Sequence, residues 1–206
     1  MLKNPEQHQC QSCDIRDPEE IHRALANVSS LYGLIANAGI GGENQYGEAD
    51  RWREIIDTNL TGTYQTIHEC LPLIKKNSAP FKKIIIISSI LARLGVPGYS
   101  GYCASKAGLL GLTRSLAGEL SGDGILVNAL CPGWVDTEMA QEGLQGFADA
   151  LKVSKDEAYK EAMKQVPLGK MSKPEEVAQL VAFLISEEQT SFTGQTLDIN
   201  NGALMP

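Results

Sequence analysis

Apolar runs and amphipathic stretches alternate along the chain, and this pattern predicts an α/β fold. Short apolar runs rich in β-branched residues are typical of strands buried on both faces of a parallel sheet. Such runs occupy residues 31–36, 83–88, 126–131 and 196–199. The longer segments between them carry apolar residues at helical spacing. We therefore expect a parallel sheet with helices on both faces.

Two of the predicted helices begin at recognisable capping sequences. Asp17-Pro18-Glu19-Glu20 and Ser172-Lys173-Pro174-Glu175 each combine a capping residue, a proline in the first turn and an acid three positions after the cap. A proline is tolerated in the first turn, and the acid can return a hydrogen bond to the cap. These sequences predict helix starts at residues 17 and 172.

Two longer helices are predicted over residues 51–73 and 100–120. The second has leucines on one face, while Leu110 and Ala117 lie on another side of it. A second apolar side is typical of a helix that packs against a subunit, but also of a helix deep in the core. The pattern leaves both interpretations open.

The composition predicts one soluble domain over residues 1–206, with 43% hydrophobic and 21% charged residues. A net charge of −7 disfavours nucleic acid as a partner. No apolar run approaches the roughly 20 residues that span a membrane, and residues 1–7 lack the apolar stretch of a signal peptide. Five cysteines, an odd number, suit a reducing compartment. These features together predict a cytoplasmic protein without a membrane segment.

The sequence predicts no metal site. Cys10 and Cys13 form a C-x-x-C pair, but neither a second pair nor a histidine cluster follows them. The histidines, His8, His22 and His68, share no spacing with one another or with carboxylates. A redox or zinc role for the cysteine pair is therefore disfavoured.

A candidate catalytic group lies between the second predicted strand and the helix over residues 100–120. Tyr102 and Lys106 are four residues apart, so both side chains emerge from one helix face about 6 Å apart along the axis. A neighbouring ammonium favours phenolate, and we expect Lys106 to lower the pKa of Tyr102 for proton transfer. Ser89 follows the strand over residues 83–88, at the edge where open α/β sheets bind ligands.

The spacing of Tyr102 and Lys106 alone is weak evidence, because such a pair arises by chance in roughly a third of chains of this composition. The flanking segments supply the specificity. In order, they are Asn37-Ala38-Gly39, Asn59-Leu60-Thr61-Gly62, and Asn128-Ala129-Leu130-Cys131-Pro132-Gly133-Trp134-Val135-Asp136-Thr137. Together these segments resemble the short-chain dehydrogenase/reductase (SDR) family, from about Cys13 to the C-terminus.

This resemblance implies a Rossmann-like fold, NAD or NADP as cofactor, and hydride transfer between a nicotinamide and a ketone or secondary alcohol. The catalytic residues carried over are Asn59, Ser89, Tyr102 and Lys106. The cofactor-binding residues carried over are Asp14, Ile15, Asn37, Ala38, Gly39, Tyr102, Lys106, Pro132, Gly133, Val135 and Thr137. Simpler interpretations stay open for three of them: Asp14 as a turn or cap residue, Asn59 as a solvated helix residue, and Thr137 as a helix cap.

The resemblance also implies that part of the family fold is missing. The segment over residues 9–14 resembles the family's third strand, and no strand with a glycine-rich turn precedes it. About two βαβ-type steps of roughly 30 residues each are absent, so we expect an N-terminally truncated SDR domain lacking the first two strands and the glycine-rich loop. The strand over residues 31–36 would then form an open apolar edge. The residue that selects NAD or NADP is absent too.

Residues 138–166 are the expected substrate lid, with an apolar pocket lining. The lining residues expected there are Met139, Leu144, Phe147, Leu151, Met163 and Val166. The lid resembles those of 3-oxoacyl-thioester and polyketide ketoreductases, which implies a 3-oxoacyl-ACP or 3-oxoacyl-CoA reductase and a homodimer or homotetramer. The alternatives are an SDR enzyme acting on a sugar, steroid or other alcohol, and a non-catalytic fragment that binds SDR partners.

Overall fold

The computed structural model of the chain describes residues 8–205. Residues 1–7, on which the expectation of no signal peptide depends, lie outside that range, as does residue 206. The described residues form a parallel four-stranded sheet in the order β1-β2-β3-β4. The strands are β1 (Gly33–Ala36), β2 (Lys82–Ile87), β3 (Ile125–Pro132) and β4 (Thr196–Ile199). The four strands predicted from the apolar runs are thus present, in chain order.

Helices connect and cover the strands. They are α1 (Pro18–Leu25), α2 (Trp52–Ile56), α3 (Thr63–Lys75), α4 (Ser100–Leu120), α5 (Glu138–Leu151), α6 (Lys155–Met163) and α7 (Pro174–Ile185). A π-helical segment, Asp57–Gly62, joins α2 to α3, and short 3₁₀ turns lie at Ile90–Ala92 and Ser121–Asp123. The predicted helix over residues 51–73 is therefore continuous but locally wider than an α-helix.

The core lies on both faces of the two central strands, β2 and β3. On one face, Ile84, Ile86 and Val127 pack with residues of α3 and α4. On the other, Ile85 and Leu130 pack against α7. Successive side chains of a strand point to opposite faces, so an unbroken apolar run supplies both cores. The sheet thereby becomes a rigid base for the loops at its carboxyl edge.

Helix α4 begins and ends at the predicted residues, and both of its apolar sides are buried within the chain. Leu110 packs with Ala129 and Cys131 of β3, and Ala117 belongs to the core formed by α3, α4 and the sheet. Of the two interpretations of this second apolar side, core packing accounts for Leu110 and Ala117.

The prediction of a strand over residues 9–14 is wrong: this segment has no regular secondary structure. A strand needs a neighbouring strand to accept its backbone hydrogen bonds. Within residues 8–205, β1 is the edge of the sheet and no strand lies beside the segment. Its backbone is held by side chains instead, and the N–H of Asp14 donates to Glu20 at 2.8 Å. The open edge of β1 is confirmed, and Ile35 is 44% exposed on it.

Both predicted capping sequences start helices, but the hydrogen bonds differ from the expected ones. Asp17 accepts from the N–H of Glu19 at 2.9 Å, while Glu20 binds Asp14 and does not return to the cap. In α7 the backbone N–H of Lys173 donates to Glu176 at 2.6 Å. The start of α1 was thus predicted, whereas α7 begins one position later than predicted, with Lys173 at the N-cap position and Glu176 as the reciprocal acid.

No helix in the part of the chain that the structure describes is both long and apolar enough to cross a membrane.

Candidate functional site

The predicted catalytic side chains meet at the carboxyl edge of the sheet. Ser89 lies two residues after β2, Tyr102 and Lys106 lie in the first two turns of α4, and Asn59 lies in the π-helical segment. Asn59 is fully buried, and Ser89 and Lys106 are 8% and 5% exposed. Tyr102 is partly exposed. The Tyr102 phenol thus borders solvent, while the groups around it are shielded from water.

The hydroxyl of Ser89 is fixed in place by the chain that follows it. Its oxygen accepts a hydrogen bond from the N–H of Leu91 at 3.1 Å, which caps the short turn Ile90–Ala92. Burial raises the pKa of Tyr102, and a hydrogen bond from Ser89 lowers it in part. The Ser89 hydroxyl therefore lies near the Tyr102 phenol.

The expectation that Lys106 lowers the pKa of Tyr102 is wrong for the free chain. The Lys106 ammonium lies 5.7 Å from the centroid of the Tyr102 ring and donates to the carbonyl oxygen of Ile87 at 3.0 Å. Burial raises the pKa of Tyr102, and the contribution that lowers it comes from the Ser89 hydroxyl and not from Lys106. Burial also lowers the pKa of Lys106 itself to about 8, because a charged amine is disfavoured away from water.

Asn59 is a buried connector and not a solvated helix residue. Its amide oxygen accepts from the N–H of Ile40 at 2.8 Å, and its nitrogen donates to the Ile40 carbonyl at 2.9 Å. The same nitrogen donates to Ser105 at 3.2 Å, and the Ser105 hydroxyl donates to the carbonyl oxygen of Tyr102 at 2.8 Å. Asn59 thereby ties the loop after β1 to the helix that carries Tyr102.

The segment Asn37-Ala38-Gly39 follows β1 and reaches the same edge of the sheet. Asn37 and Ala38 are exposed there. A β-carbon on Gly39 would lie 3.1 Å from the amide oxygen of Asn59 and 3.5 Å from the ammonium of Lys106. Such a contact is tight, so glycine is the residue that allows the backbone to approach these side chains.

Pro132 ends β3, and the residues after it form the next wall of the site. The N–H of Gly133 donates to Ile199 at 3.0 Å, and a β-carbon on Gly133 would lie 2.9 Å from that of Asn200. The Thr137 hydroxyl caps α5 through the N–H of Ala140 at 3.4 Å and donates to Val135 at 3.2 Å. The capping role of Thr137 is present in the free chain, and its hydroxyl remains exposed.

Asp14 and Ile15 lie away from the side chains around Tyr102, at the start of α1. Arg16 holds both carboxylate oxygens of Asp14, at 3.0 and 2.5 Å. The hydrogen bonds from Arg16 lower the pKa of Asp14 to about 2. Ile15 packs on Gly62 of the π-helical segment, where a β-carbon would lie 2.9 Å from its side chain. Ile15 therefore supports the segment that holds Asn59.

Residues 138–166, the expected lid, differ from the expectation in which of their apolar side chains are exposed. Leu144, Met163 and Val166 are buried together in a small core of α5, α6 and the following turn. Met139, Phe147 and Leu151 are 44%, 36% and 46% exposed. The prediction that all six line a pocket is therefore wrong for the buried three, because the lid needs its own core to stay folded.

Two serines of the site were missed by the sequence argument. The hydroxyl of Ser88 donates to the carbonyl oxygen of Lys106 at 2.8 Å, and Ser105 links Asn59 to Tyr102. Ser105 is three positions after Tyr102, a spacing that places it near the same helix face. That spacing was the available signal for Ser105, while Ser88 carried none beyond its place at a strand end.

Comparison with known proteins identifies the family. A family model described as Enoyl-(Acyl carrier protein) reductase matches residues 2–203. The chain belongs to the short-chain dehydrogenase/reductase family. SDR proteins are oxidoreductases, and the Rossmann-like fold expected from the sequence is confirmed by solved SDR structures.

Curated SDR relatives are similar over most of this chain. A putative ketoacyl reductase of Streptomyces coelicolor is 36% identical over 197 residues, which are 93% of this chain and 76% of that protein. The 3-oxoacyl-(acyl-carrier-protein) reductase FabG of Rickettsia conorii is 36% identical over 196 residues, 94% of this chain and 76% of the relative. FabG proteins of Staphylococcus aureus are 35% identical over 199 residues.

Solved SDR structures superpose closely on this fold. An actinorhodin polyketide ketoreductase variant with NADPH has a TM-score of 0.87 and 34% identity, over 94% of this chain and 76% of its own. A short chain dehydrogenase family protein from Francisella tularensis has a TM-score of 0.84 and 28% identity, over 95% of this chain and 84% of its own. Aldohexose dehydrogenase of Thermoplasma acidophilum has a TM-score of 0.84 and 28% identity, over 94% of this chain and 77% of its own.

Proposed function

We propose that this SDR chain is an NAD(P)H-dependent ketoreductase acting on 3-oxoacyl thioesters. The observation that carries the proposal is the meeting of Ser89, Tyr102, Lys106 and Asn59 at one sheet edge, next to a lid with exposed apolar residues. The names of the relatives support the thioester class, since they include ketoacyl and 3-oxoacyl-(acyl-carrier-protein) reductases. A carrier-protein thioester or a coenzyme A thioester fits this class equally.

The residues around Lys106 fit a nicotinamide cofactor. Within residues 8–205, the Ile87 carbonyl is the acceptor found for the Lys106 ammonium, which has three N–H donors. The remaining donors suit ribose hydroxyls. Exposed Asn37 and Ala38 offer a surface for adenosine, with Asp14 and Ile15 proposed beyond it. On the other side, the loop from Pro132 through Gly133 and Val135 to Thr137 would hold the carboxamide. Bound there, NAD(P)H supplies the hydride.

Tyr102 is proposed as the acid that donates a proton to the ketone oxygen. Because burial raises its pKa above 10.0, the phenol carries its proton at neutral pH and suits the reductive direction. The Ser89 hydroxyl would donate a hydrogen bond to the same ketone oxygen and orient it. Lys106 is proposed to hold the ribose, and its positive charge would stabilise the phenolate that forms. Asn59 would keep Tyr102 and Lys106 in register and position a water that links Lys106 to solvent, so that a proton returns from solvent by way of Lys106 to the Tyr102 phenolate.

The lid is proposed to admit the apolar part of the substrate. Residues 138–166 are proposed as a lid within a single domain of residues 1–206. Met139 lies over the loop after β1, with its sulphur 3.1 Å from the position that a β-carbon of Gly41 would occupy. Phe147 and Leu151 lie further along the same helix, α5, and are also exposed. An acyl chain entering beside Met139 would reach Tyr102 without crossing the buried core of the lid.

We also propose a cytoplasmic protein that assembles as a homodimer or homotetramer. The absence of a membrane-spanning helix from residues 8–205 is consistent with this location. Gly111 and Gly118 are exposed on α4, with nothing within 4 Å of an added β-carbon, and they leave surface for a further subunit.

The first test is binding of NADH and NADPH to the purified 206-residue chain, followed by fluorescence, and then turnover of acetoacetyl-CoA, followed by loss of NAD(P)H absorbance. We expect micromolar binding, as for typical enzyme ligands, and reduction that disappears in Tyr102→Phe. Binding without reduction of any 3-oxoacyl thioester would contradict the substrate class. A folded chain that binds neither nucleotide would contradict the enzyme proposal and favour the non-catalytic alternative.

A further inference from the structure

The loop between β1 and α2 crosses to the first turn of α4, and Asn44 is where it makes contact. The backbone N–H of Asn44 donates to the carbonyl oxygen of Gly98 at 2.7 Å. Its side-chain oxygen accepts from the N–H of Gly101 at 2.7 Å. Gly101 immediately precedes Tyr102 in α4. Asn44 therefore touches the backbone next to the proposed acid, from a loop 57 positions earlier in the chain.

The hydrogen bond to Gly101 serves as a helix cap that comes from outside the helix. The first N–H groups of an α-helix have no partner within it and need an acceptor from elsewhere. Tyr99, the residue at the N-cap position of α4, makes no side-chain cap. A β-carbon on Gly101 would lie 2.8 Å from the Asn44 oxygen, so the glycine leaves the room that the cap needs.

The other end of the Asn44 amide binds a second helix start. Its nitrogen donates to a carboxylate oxygen of Asp50 at 3.0 Å. The same oxygen of Asp50 accepts from the N–H of Trp52, the first residue of α2, at 2.9 Å. Helix α2 continues into the π-helical segment that holds Asn59. One amide thus connects the start of the helix leading to Asn59 with the start of the helix carrying Tyr102.

We propose that Asn44 is a positioning residue for the reaction, which fixes Tyr102 relative to Asn59 by joining the first turns of α4 and α2. It acts through Gly101 and Asp50 and does not touch the reacting atoms. This inference rests on the proposed function for its effect on turnover, whereas its effect on the start of α4 does not. A displacement of about 1 Å at a reacting group costs on the order of 100-fold in rate, so the loss of this link should be measurable.

The test compares Asn44→Ala with Asn77→Ala. Asn77 is a loop asparagine that accepts one backbone hydrogen bond, from Ala79 at 2.9 Å, away from the site. In Asn44→Ala we expect kcat to fall by about 10- to 100-fold, with the dissociation constant for NADPH within about twofold of the parent. Hydrogen exchange at the amide of Gly101 should accelerate at least about tenfold, while the amides of β2 and β3 keep their protection. The control should leave both quantities unchanged.

A charge-swapped pair keeps the test informative if Asn44→Ala does not fold. Asn44→Asp places a second carboxylate beside Asp50 and should lower kcat, whereas adding Asp50→Asn restores a donor and an acceptor across the contact and should recover most of it. Failure of the pair to recover kcat would overturn the proposal. So would unchanged exchange at Gly101 in Asn44→Ala, because Asn44→Asp keeps the oxygen that accepts this N–H. If the parent reduces no 3-oxoacyl thioester, the proposed function fails, and exchange at Gly101 still decides whether Asn44 fixes α4.

Discussion

Gly39 and Asn59 approach so closely that a β-carbon on Gly39 would lie 3.1 Å from the Asn59 amide oxygen. That oxygen also accepts the N–H of Ile40, the next residue along the chain. The buried amide therefore sets both the path of the loop after β1 and the space in front of Lys106. The proposed ribose site is shaped by an asparagine that itself has no exposed surface.

Gly39→Ala should weaken nucleotide binding. The added methyl group would push on Asn59 and lie 3.5 Å from Lys106, which displaces both groups or the loop. We expect the dissociation constant of the preferred nucleotide to rise about tenfold, equivalent to roughly 1.4 kcal/mol. Fluorescence titration measures it. Gly146→Ala in α5 is the control, because nothing lies within 4 Å of that added methyl group, and equal affinities in the two variants would contradict the prediction.

Lys106→Met should change how stability depends on pH. The pKa of Lys106 is about 8 when folded, against an ordinary 10.5, so between these pH values the unfolded chain binds more protons than the folded one. The free energy of unfolding of the parent therefore rises through this window relative to Lys106→Met, by about 3 kcal/mol in total. Below pH 8 the free energies of unfolding of the parent and of Lys106→Met should differ by a constant amount.

Urea unfolding at several pH values measures this difference. Lys164→Met is the control, since Lys164 is exposed and pairs with Glu161 on the surface. A parent and a Lys106→Met variant with parallel pH profiles would show that the buried amine does not titrate in this range.

Tyr102→Phe should remove turnover and leave nucleotide binding intact. The variant keeps the ring beside Lys106 and loses the phenol proton, so we expect the rate to fall by about 100-fold or more. Stopped assays with acetoacetyl-CoA measure the rate, and fluorescence titration measures binding. Tyr99→Phe, three positions earlier and also raised in pKa by burial, should retain most activity. Comparable losses in both variants would argue that a general disturbance of α4 is being measured.

Leu144→Ala and Phe147→Ala should separate the two roles of the lid. Leu144 is 2% exposed within the core of the lid, so its truncation should lower stability by roughly 2–5 kcal/mol. Phe147 is 36% exposed, and its truncation should change stability by about 0.5 kcal/mol at most while raising KM for long-chain thioesters. Thermal unfolding and KM as a function of acyl length test both. If Phe147→Ala lowered stability substantially as well as raising KM, this division of roles would be wrong.

Features governed by local sequence were predicted well. The bounds of α4 and β4 agree with the structure, because a long amphipathic run and a short apolar run flanked by turn residues each specify their element locally. The position of Ser89 just after β2 also followed, since the end of the apolar run marks the carboxyl end of the strand.

Features that depend on distant partners were not predicted. The segment over residues 9–14 has strand-like composition, yet pairing decides whether a strand forms. The capping role of Asn44 carries no local signal, because the helix it caps begins far along the chain. The net rise in the pKa of Tyr102 is a matter of burial, which the four-residue spacing to Lys106 does not encode.

The π-helical segment Asp57–Gly62 holds about one residue more than an α-helix would need to join α2 to α3. A π turn takes up such an extra residue within a helix, so deleting one residue here would let a regular α-helix form and would leave fully buried Ile55 facing the core. The same deletion would displace the residues of the turn itself, among them Asn59 with its hydrogen bonds to both backbone groups of Ile40. The packing of α2 and α3 would therefore tolerate the loss of one residue here, whereas the connection between the loop after β1 and the helix that carries Tyr102 would not.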